Sequence, residues 1–182
     1  MKKLIVVGIV LLLAGCGGGG ATGAAEPGGS AAGSPSAAAS GAAGERAPAP
    51  LRFQGETLDG KPFDGASLAG RPAVFWFWAP WCPNCLAEGP DVAEAAAKYG
   101  DKVSFVGIGG LEKDAGKLKG FVSRTGTRDL VQLDDRTGKL YSHFGVTTQS
   151  SYVFMAPDGT KSKASGPLDG AALRRHVDAL LG

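Results

Sequence analysis

The chain is poor in the residues that build metal and nucleic-acid sites. Of its 182 residues only three are cysteine and two are histidine. A structural zinc site usually takes four Cys or His ligands, and His143 and His176 stand far along the chain from any cysteine. Charge is nearly balanced, with Lys+Arg 19 against Asp+Glu 17 and a net charge of +2. That leaves no electrostatic footprint for nucleic acid. No block of like charge forms a polybasic membrane patch. There is no internal repeat. Gly107-Ile108-Gly109-Gly110 completes no G-x-G-x-x-G pattern, so it reads as a loop and not as a nucleotide site. The leading apolar run, Leu4 to Leu13, is too short to be a comfortable bilayer-spanning helix.

That run has a different reading. Lys2 and Lys3 supply a charged start, and residues 1–16 together read as an export signal. It ends in Leu13-Ala14-Gly15-Cys16, which resembles the bacterial lipobox. The resemblance implies cleavage before Cys16, lipidation of its thiol, and anchoring at the extracytoplasmic face of the cell membrane. A single acyl chain binds reversibly, whereas a diacylglyceryl group anchors stably. An ordinary secretory signal with Cys16 near its end is the competing reading. Either way the protein is exported to a compartment where disulfides persist. Residues 17–50 are Gly, Ala, Ser and Pro with almost no charge and no large apolar side chain. They are expected to form a disordered tether, spanning about 30 Å root-mean-square.

Residues 51–182 have the length of one domain. Leu51 to Phe53 reads as a short strand, followed by a hairpin turning at Asp59-Gly60. Val74 to Ala79 is a continuous apolar run, as in a central strand buried on both faces. Cys82 to Tyr99 reads as a helix containing Pro90, and Val103 to Ile108 as a second strand. Helices over 112–124, 138–144 and 168–181 alternate with strands over 130–133, 151–155 and 160–164. The alternation predicts an α/β fold: a mixed sheet flanked by helices, with an N-terminal β-hairpin extension.

Between the central strand and its helix stands Trp81-Cys82-Pro83-Asn84-Cys85. Cysteines at this spacing can close a disulfide across one helical turn. The first sulfur then sits at a helix N-terminus, where unpaired N–H groups and the helix dipole favour negative charge. The pKa of Cys82 should fall and its reactivity rise. Pro83 sits at the first helical position, where its missing N–H costs nothing. This is the local chemistry of thiol–disulfide exchange, with Cys82 as nucleophile and Cys85 as resolving thiol. The competing readings are a structural disulfide or half a zinc site, the latter short of ligands with Cys16 lipidated and only His143 and His176 left. Glu88, three residues on, lies close to the helix face of Cys85. It is either a proton acceptor for that thiol or an exposed carboxylate placed favourably in the helix dipole.

The stretch Phe77-Trp78-Ala79-Pro80-Trp81-Cys82-Pro83-Asn84-Cys85 with Glu88 and Pro90 resembles the secreted and membrane-tethered disulfide oxidoreductases of the Dsb and redoxin type. So do Phe144-Gly145-Val146, Tyr152-Val153-Phe154 and Asp158-Gly159 further on. The resemblance implies a thioredoxin-like fold over 51–181 and catalytic roles for Cys82, Cys85 and Glu88. It implies no cofactor beyond the redox-active disulfide, and no metal. Trp81 and Trp78 would wall the site, with Trp76 in the core. Trp81, Pro83, Gln149, Ser150 and Ser151 would meet the substrate.

Two departures stand out. Thioredoxin's buried acid on the preceding strand is replaced by Trp76. The family's cis-proline position, after Gln149, holds Ser150. A cis bond before a non-proline residue costs about 2.5–4 kcal/mol. A trans bond is therefore expected, or a strained one held by its surroundings.

The implied partners are exported cysteine-containing proteins and a membrane redox partner for recycling, with no nucleic acid. The implied function is to oxidise or isomerise exported proteins. The alternatives are reduction of a specific client such as apocytochrome c, or a non-catalytic binding or metallochaperone module.

Overall fold

The computed structural model describes residues 46–182. The expected export signal, Cys16 and residues 17–45 of the expected tether lie outside the described residues. The strands are β1 (Gln54–Glu56), β2 (Pro62–Asp64), β3 (Ala73–Trp78), β4 (Ser104–Gly110), β5 (Val131–Asp135), β6 (Ser151–Met155) and β7 (Lys161–Ser165). The helices are α1 (Pro83–Tyr99), α2 (Ala115–Thr125), α3 (Lys139–Phe144) and α4 (Gly170–Leu181).

Five strands form one sheet in the order β5-β4-β3-β6-β7. β3, β4 and β5 run parallel, while β6 is antiparallel to β3 and β7 antiparallel to β6. This is the mixed α/β sheet expected from the alternation of elements. The parallel pairs come from strand–helix–strand crossovers through α1 and α2, and the antiparallel pair β6–β7 from a tight turn at Asp158-Gly159. The hairpin β1–β2 turns at Gly60, whose φ of 78° suits glycine. Leu58 N–H then donates to the Gln132 carbonyl at 2.9 Å, laying the hairpin against β5.

β3 is buried along its whole length. Its alternate side chains enter two cores, as strand pleating requires. Val74, Trp76 and Trp78 pack with Val92, Phe121, Leu173 and Val177 from α1, α2 and α4. Phe75 and Phe77 pack with Leu140, Tyr141 and Phe144 of α3 and with Phe53. The strand that feeds the cysteine motif is thus held from both sides.

Two expectations need correcting. Residues 51–53 do not form a strand: Ala49–Leu51 is a 3-10 turn, with Leu51 N–H donating to the Pro48 carbonyl at 2.8 Å. Leu51 and Phe53 are buried and Arg52 exposed, so the alternation imitates a strand, but the flanking prolines favour the turn. Ala47 is already buried and its carbonyl accepts from Arg52 Nε at 2.8 Å, so packing starts before Leu51.

Residues 107–110 are not a loop either; they complete β4. A Cβ on Gly107 would overlap the Gln132 amide, one on Gly109 the Trp78 ring and one on Gly110 the Tyr141 ring. Large neighbours fill the space, so glycine here serves close packing rather than turning.

Asp135 ties β5 to α3. Its Oδ1 accepts from Leu140 N–H at 3.0 Å and its Oδ2 from Tyr141 N–H at 2.9 Å. The residue at the helix N-cap, Gly138, has no side chain to do this. Asp135→Ala is therefore expected to cost about 1–3 kcal/mol, the penalty for orphaning buried donors at a helix start. Urea unfolding reads it directly, and an unchanged midpoint would mean the two N–H groups find other partners.

Candidate active site

Between β3 and α1 the chain turns through Ala79-Pro80-Trp81, and Cys82 N–H donates to the Ala79 carbonyl at 3.1 Å. Cys82 is the N-cap of α1, in extended conformation. Its Sγ accepts from Cys85 N–H at 3.1 Å, so one of the helix's free amide donors points at this sulfur. Pro83 occupies the first turn, as expected. The two cysteines are joined as a disulfide with Cα atoms 5.3 Å apart. Cys82 is 5% exposed and Cys85 fully buried. An incoming sulfur therefore meets Cys82 first.

Trp81 is 55% exposed and stands beside Cys82. Its indole N–H donates to the Leu111 carbonyl at 3.0 Å, which fixes the ring across the end of β4. Leu111 itself is exposed and left-handed, with φ of 57°, a rare conformation for a branched side chain. Leu86, also exposed, adds a further apolar side chain to this end of α1. Trp78 does not wall the site: it is fully buried, stacked on Phe121 with centroids 4.3 Å apart, and donates to Gln132 Oε1 at 3.1 Å. The reason is strand parity, since Trp78 shares the face of Trp76 and Val74, and only Trp81 lies beyond the strand.

Glu88 is 3% exposed, on the buried side of α1 with Cys85. Its Oε1 accepts from Leu168 N–H at 2.5 Å. Leu168 follows the cis Gly166–Pro167 bond that leads from β7 to α4. Burial pushes the Glu88 carboxyl above its ordinary range, while surrounding donors, foremost Ser150 and the Leu168 amide, pull it back. The exposed-carboxylate reading of Glu88 is thereby set aside.

The loop before β6 lies in the same region. Of the two alternatives expected here, the Gln149–Ser150 bond is not the trans one but cis. The surroundings hold this segment closely: Trp76 Nε1–H donates to Ser150 Oγ at 3.0 Å, Gly166 N–H to the Ser150 carbonyl at 2.8 Å, and Ser151 Oγ–H to the Thr148 carbonyl at 2.8 Å. Both serine side chains are buried and Gln149 is half-buried. The loop therefore offers a partner backbone and Gln149 rather than serine hydroxyls. Among the described residues, no cluster of three or more His, Cys, Asp or Glu could hold a metal ion.

The redoxin family profile matches residues 42–160. The chain belongs to the redoxin family. This redoxin is 43% identical over 126 residues to the soluble secreted antigen MPT53 of Mycobacterium tuberculosis, covering 69% of each chain. Among solved structures it resembles dsbF of the same organism, with 42% identity and a TM-score of 0.70 over 74% of this chain and 98% of that one. It also resembles a secreted Mycobacterium tuberculosis disulfide oxidoreductase described as homologous to E. coli DsbE. There identity is 40% and the TM-score 0.67, over 72% of this redoxin and 98% of that chain. Site, fold and relatives agree: this redoxin is a thioredoxin-like thiol–disulfide oxidoreductase.

Sequence reasoning missed four contributors to the site. Leu111 lay at the end of a glycine run read as a loop, and its carbonyl holds Trp81. Leu168 acts through its amide, which no side-chain pattern reports. Trp76 was placed in the core, correctly, but its indole N–H also grips Ser150. Tyr152 pairs with Trp76 across β3 and β6, so its ring shares the buried face behind Glu88. Parity along these two strands was the available signal for the last.

Proposed function

We propose that this redoxin is an extracytoplasmic disulfide donor, anchored by lipid at Cys16, that oxidises or isomerises cysteines of exported proteins. The observation that carries it is the Cys85 N–H aimed at Cys82 Sγ at the N-terminus of α1. A donor in that position stabilises the Cys82 thiolate, hence the reduced form, and a stabilised reduced form makes the disulfide a stronger oxidant. The export signal in the sequence and the secreted relatives support the location.

The steps follow from the exposures. A substrate thiolate attacks Cys82 Sγ, forming a mixed disulfide and breaking the Cys82–Cys85 bond. Cys85 leaves as a thiolate and takes a proton from Glu88. A second substrate thiolate then attacks the substrate sulfur of the mixed disulfide, and Cys82 departs as a thiolate. The substrate loses two electrons and the protein gains them. A membrane redox partner restores the disulfide. In the reverse direction Glu88 accepts the Cys85 proton. Trp81, Pro83 and Gln149 with the backbone of Ser150 and Ser151 form the surface on which the substrate chain rests.

Equilibration of the Cys82–Cys85 pair in glutathione buffers tests this reading. The expected potential lies toward the oxidising end of the known span, nearer −120 than −270 mV. A value near −270 mV would instead make the protein a reductase for a specific client.

A further inference from the structure

Two buried oxygens in this site, Glu88 Oε2 and the Tyr152 hydroxyl, have no hydrogen-bond partner among the described residues. Buried polar atoms are almost always paired, so two orphans in one cluster call for a reason. Tyr152 is fully buried, and its ring stacks on Phe154. It stands opposite Trp76 on the same face of the sheet. The Ser150 side chain and the Glu88 carboxylate both lie against Gly166, where an added Cβ would overlap each of them.

The donor and acceptor capacities of these groups have an order. The Trp76 indole can only donate, and it donates to Ser150 Oγ. That leaves the Ser150 hydroxyl proton to be given onward. The Tyr152 hydroxyl can accept one bond and donate another, and an ionised carboxylate can only accept. A proline at 150 would offer no hydroxyl and interrupt the order.

We propose that Trp76, Ser150, Tyr152 and Glu88 form a one-way chain of hydrogen-bond donors ending on Glu88 Oε2, which closes when Glu88 is ionised. Ser150 and Tyr152 are then positioning residues that hold the carboxylate charge ready to take the Cys85 proton. When Glu88 is protonated, the Tyr152 hydroxyl can turn and accept from it, so the same four groups serve both states. This rests on the reading of Glu88 as the proton partner of Cys85.

Burial raises the Tyr152 hydroxyl well above its usual range, and the nearby Glu88 charge adds to it, so Tyr152 stays protonated as a donor. Asp91, also on α1, bears on Tyr152 as well. It lies with Arg174 against Gly170 at the start of α4. Cys82 and Cys85 on α1 complete the site, and joined as a disulfide they do not titrate in the oxidised protein.

The test titrates the Glu88 side-chain carboxyl by carbon-13 NMR in the oxidised full chain in detergent. Tyr152→Phe keeps the stacked ring and removes the last donor. Its Glu88 midpoint is expected to move to higher pH. Ser150→Ala should move it the same way, and Ser150→Thr should restore it. On the acid limb of the rate at which the reduced protein is reoxidised, where Glu88 must be ionised to accept the Cys85 proton, Tyr152→Phe should be slower by about tenfold, as for one hydrogen bond to a charged group.

An unmoved or lowered midpoint in Tyr152→Phe, with the Leu168 amide resonance unchanged, overturns the chain whatever the rates. A raised midpoint supports it, even if Glu88→Gln exchanges at the wild-type rate. That last result would remove only the reading of Glu88 as proton partner.

Discussion

Cys82→Ser is expected to reduce thiol–disulfide exchange to the uncatalysed background, and Cys85→Ser to trap the protein as a mixed disulfide with its substrate. The asymmetry follows from position. Cys82 is the N-cap, the less deeply buried of the two cysteines at 5% exposed, and carries the amide donor that makes it a good leaving and attacking group. Cys85 is one turn inside α1 with no exposed surface, so no outside sulfur reaches it before Cys82 has reacted. Without Cys85 the mixed disulfide on Cys82 has no internal thiol to release it, and only a second outside thiol can. Non-reducing electrophoresis with a small thiol-rich substrate distinguishes the two variants. A mixed disulfide that accumulates on Cys82→Ser and not on Cys85→Ser would reverse the assignment. Equal, near-background rates for wild type and Cys82→Ser would remove enzymatic exchange altogether.

Much of this fold is legible in the sequence. The continuous apolar run from Val74 to Ala79 reads as a strand buried on both faces, and β3 is buried throughout. Asp59-Gly60 gave a hairpin because glycine alone readily takes the positive φ found there. Pro83 marked the first turn of α1 for the same kind of local reason. These features are written in short stretches of chain. At the glycine run, distant packing decided instead. Residues 107–110 are strand because Trp78, Gln132 and Tyr141, remote in sequence, occupy the room side chains would need. The alternation Leu51-Arg52-Phe53 was real burial, but it runs out of a 3-10 turn at Ala49–Leu51 beside Pro48 and Pro50 and not along a ladder.

The site divides the same way. The cysteines announce themselves by spacing, and Glu88 by its helical offset from Cys85. Its surroundings do not, because Leu168, Ser150 and Trp76 reach it from three separate segments, one of them by a backbone amide. The departure at Ser150 was visible as an oddity. That its hydroxyl faces inward to Trp76 and not outward to a substrate is a property of the folded loop alone.

Glu88→Gln is expected to make the protein more stable and far less active. The carboxyl is raised above its ordinary range first by burial, so ionising it in the folded state is unfavourable relative to the unfolded chain. Its contribution to stability is fully present below the unfolded value, about 4.3. It is lost as pH rises from there through the folded value, because the unfolded chain gives up its proton first. Gln keeps the oxygen that accepts from Leu168 N–H and carries no charge. The variant should therefore melt above wild type at pH 8, with a gain that shrinks toward zero near pH 4. The exchange rate should move oppositely, falling about 10²–10⁴-fold, the usual contribution of a positioned proton-transfer group. Such a trade is expected where a residue is kept for chemistry at the expense of the fold. Melting curves at the two pH values, set beside exchange rates, check both halves. A variant less stable at pH 8, with an unchanged rate, would mean that Glu88 is held for its contact with Leu168 and not for its proton.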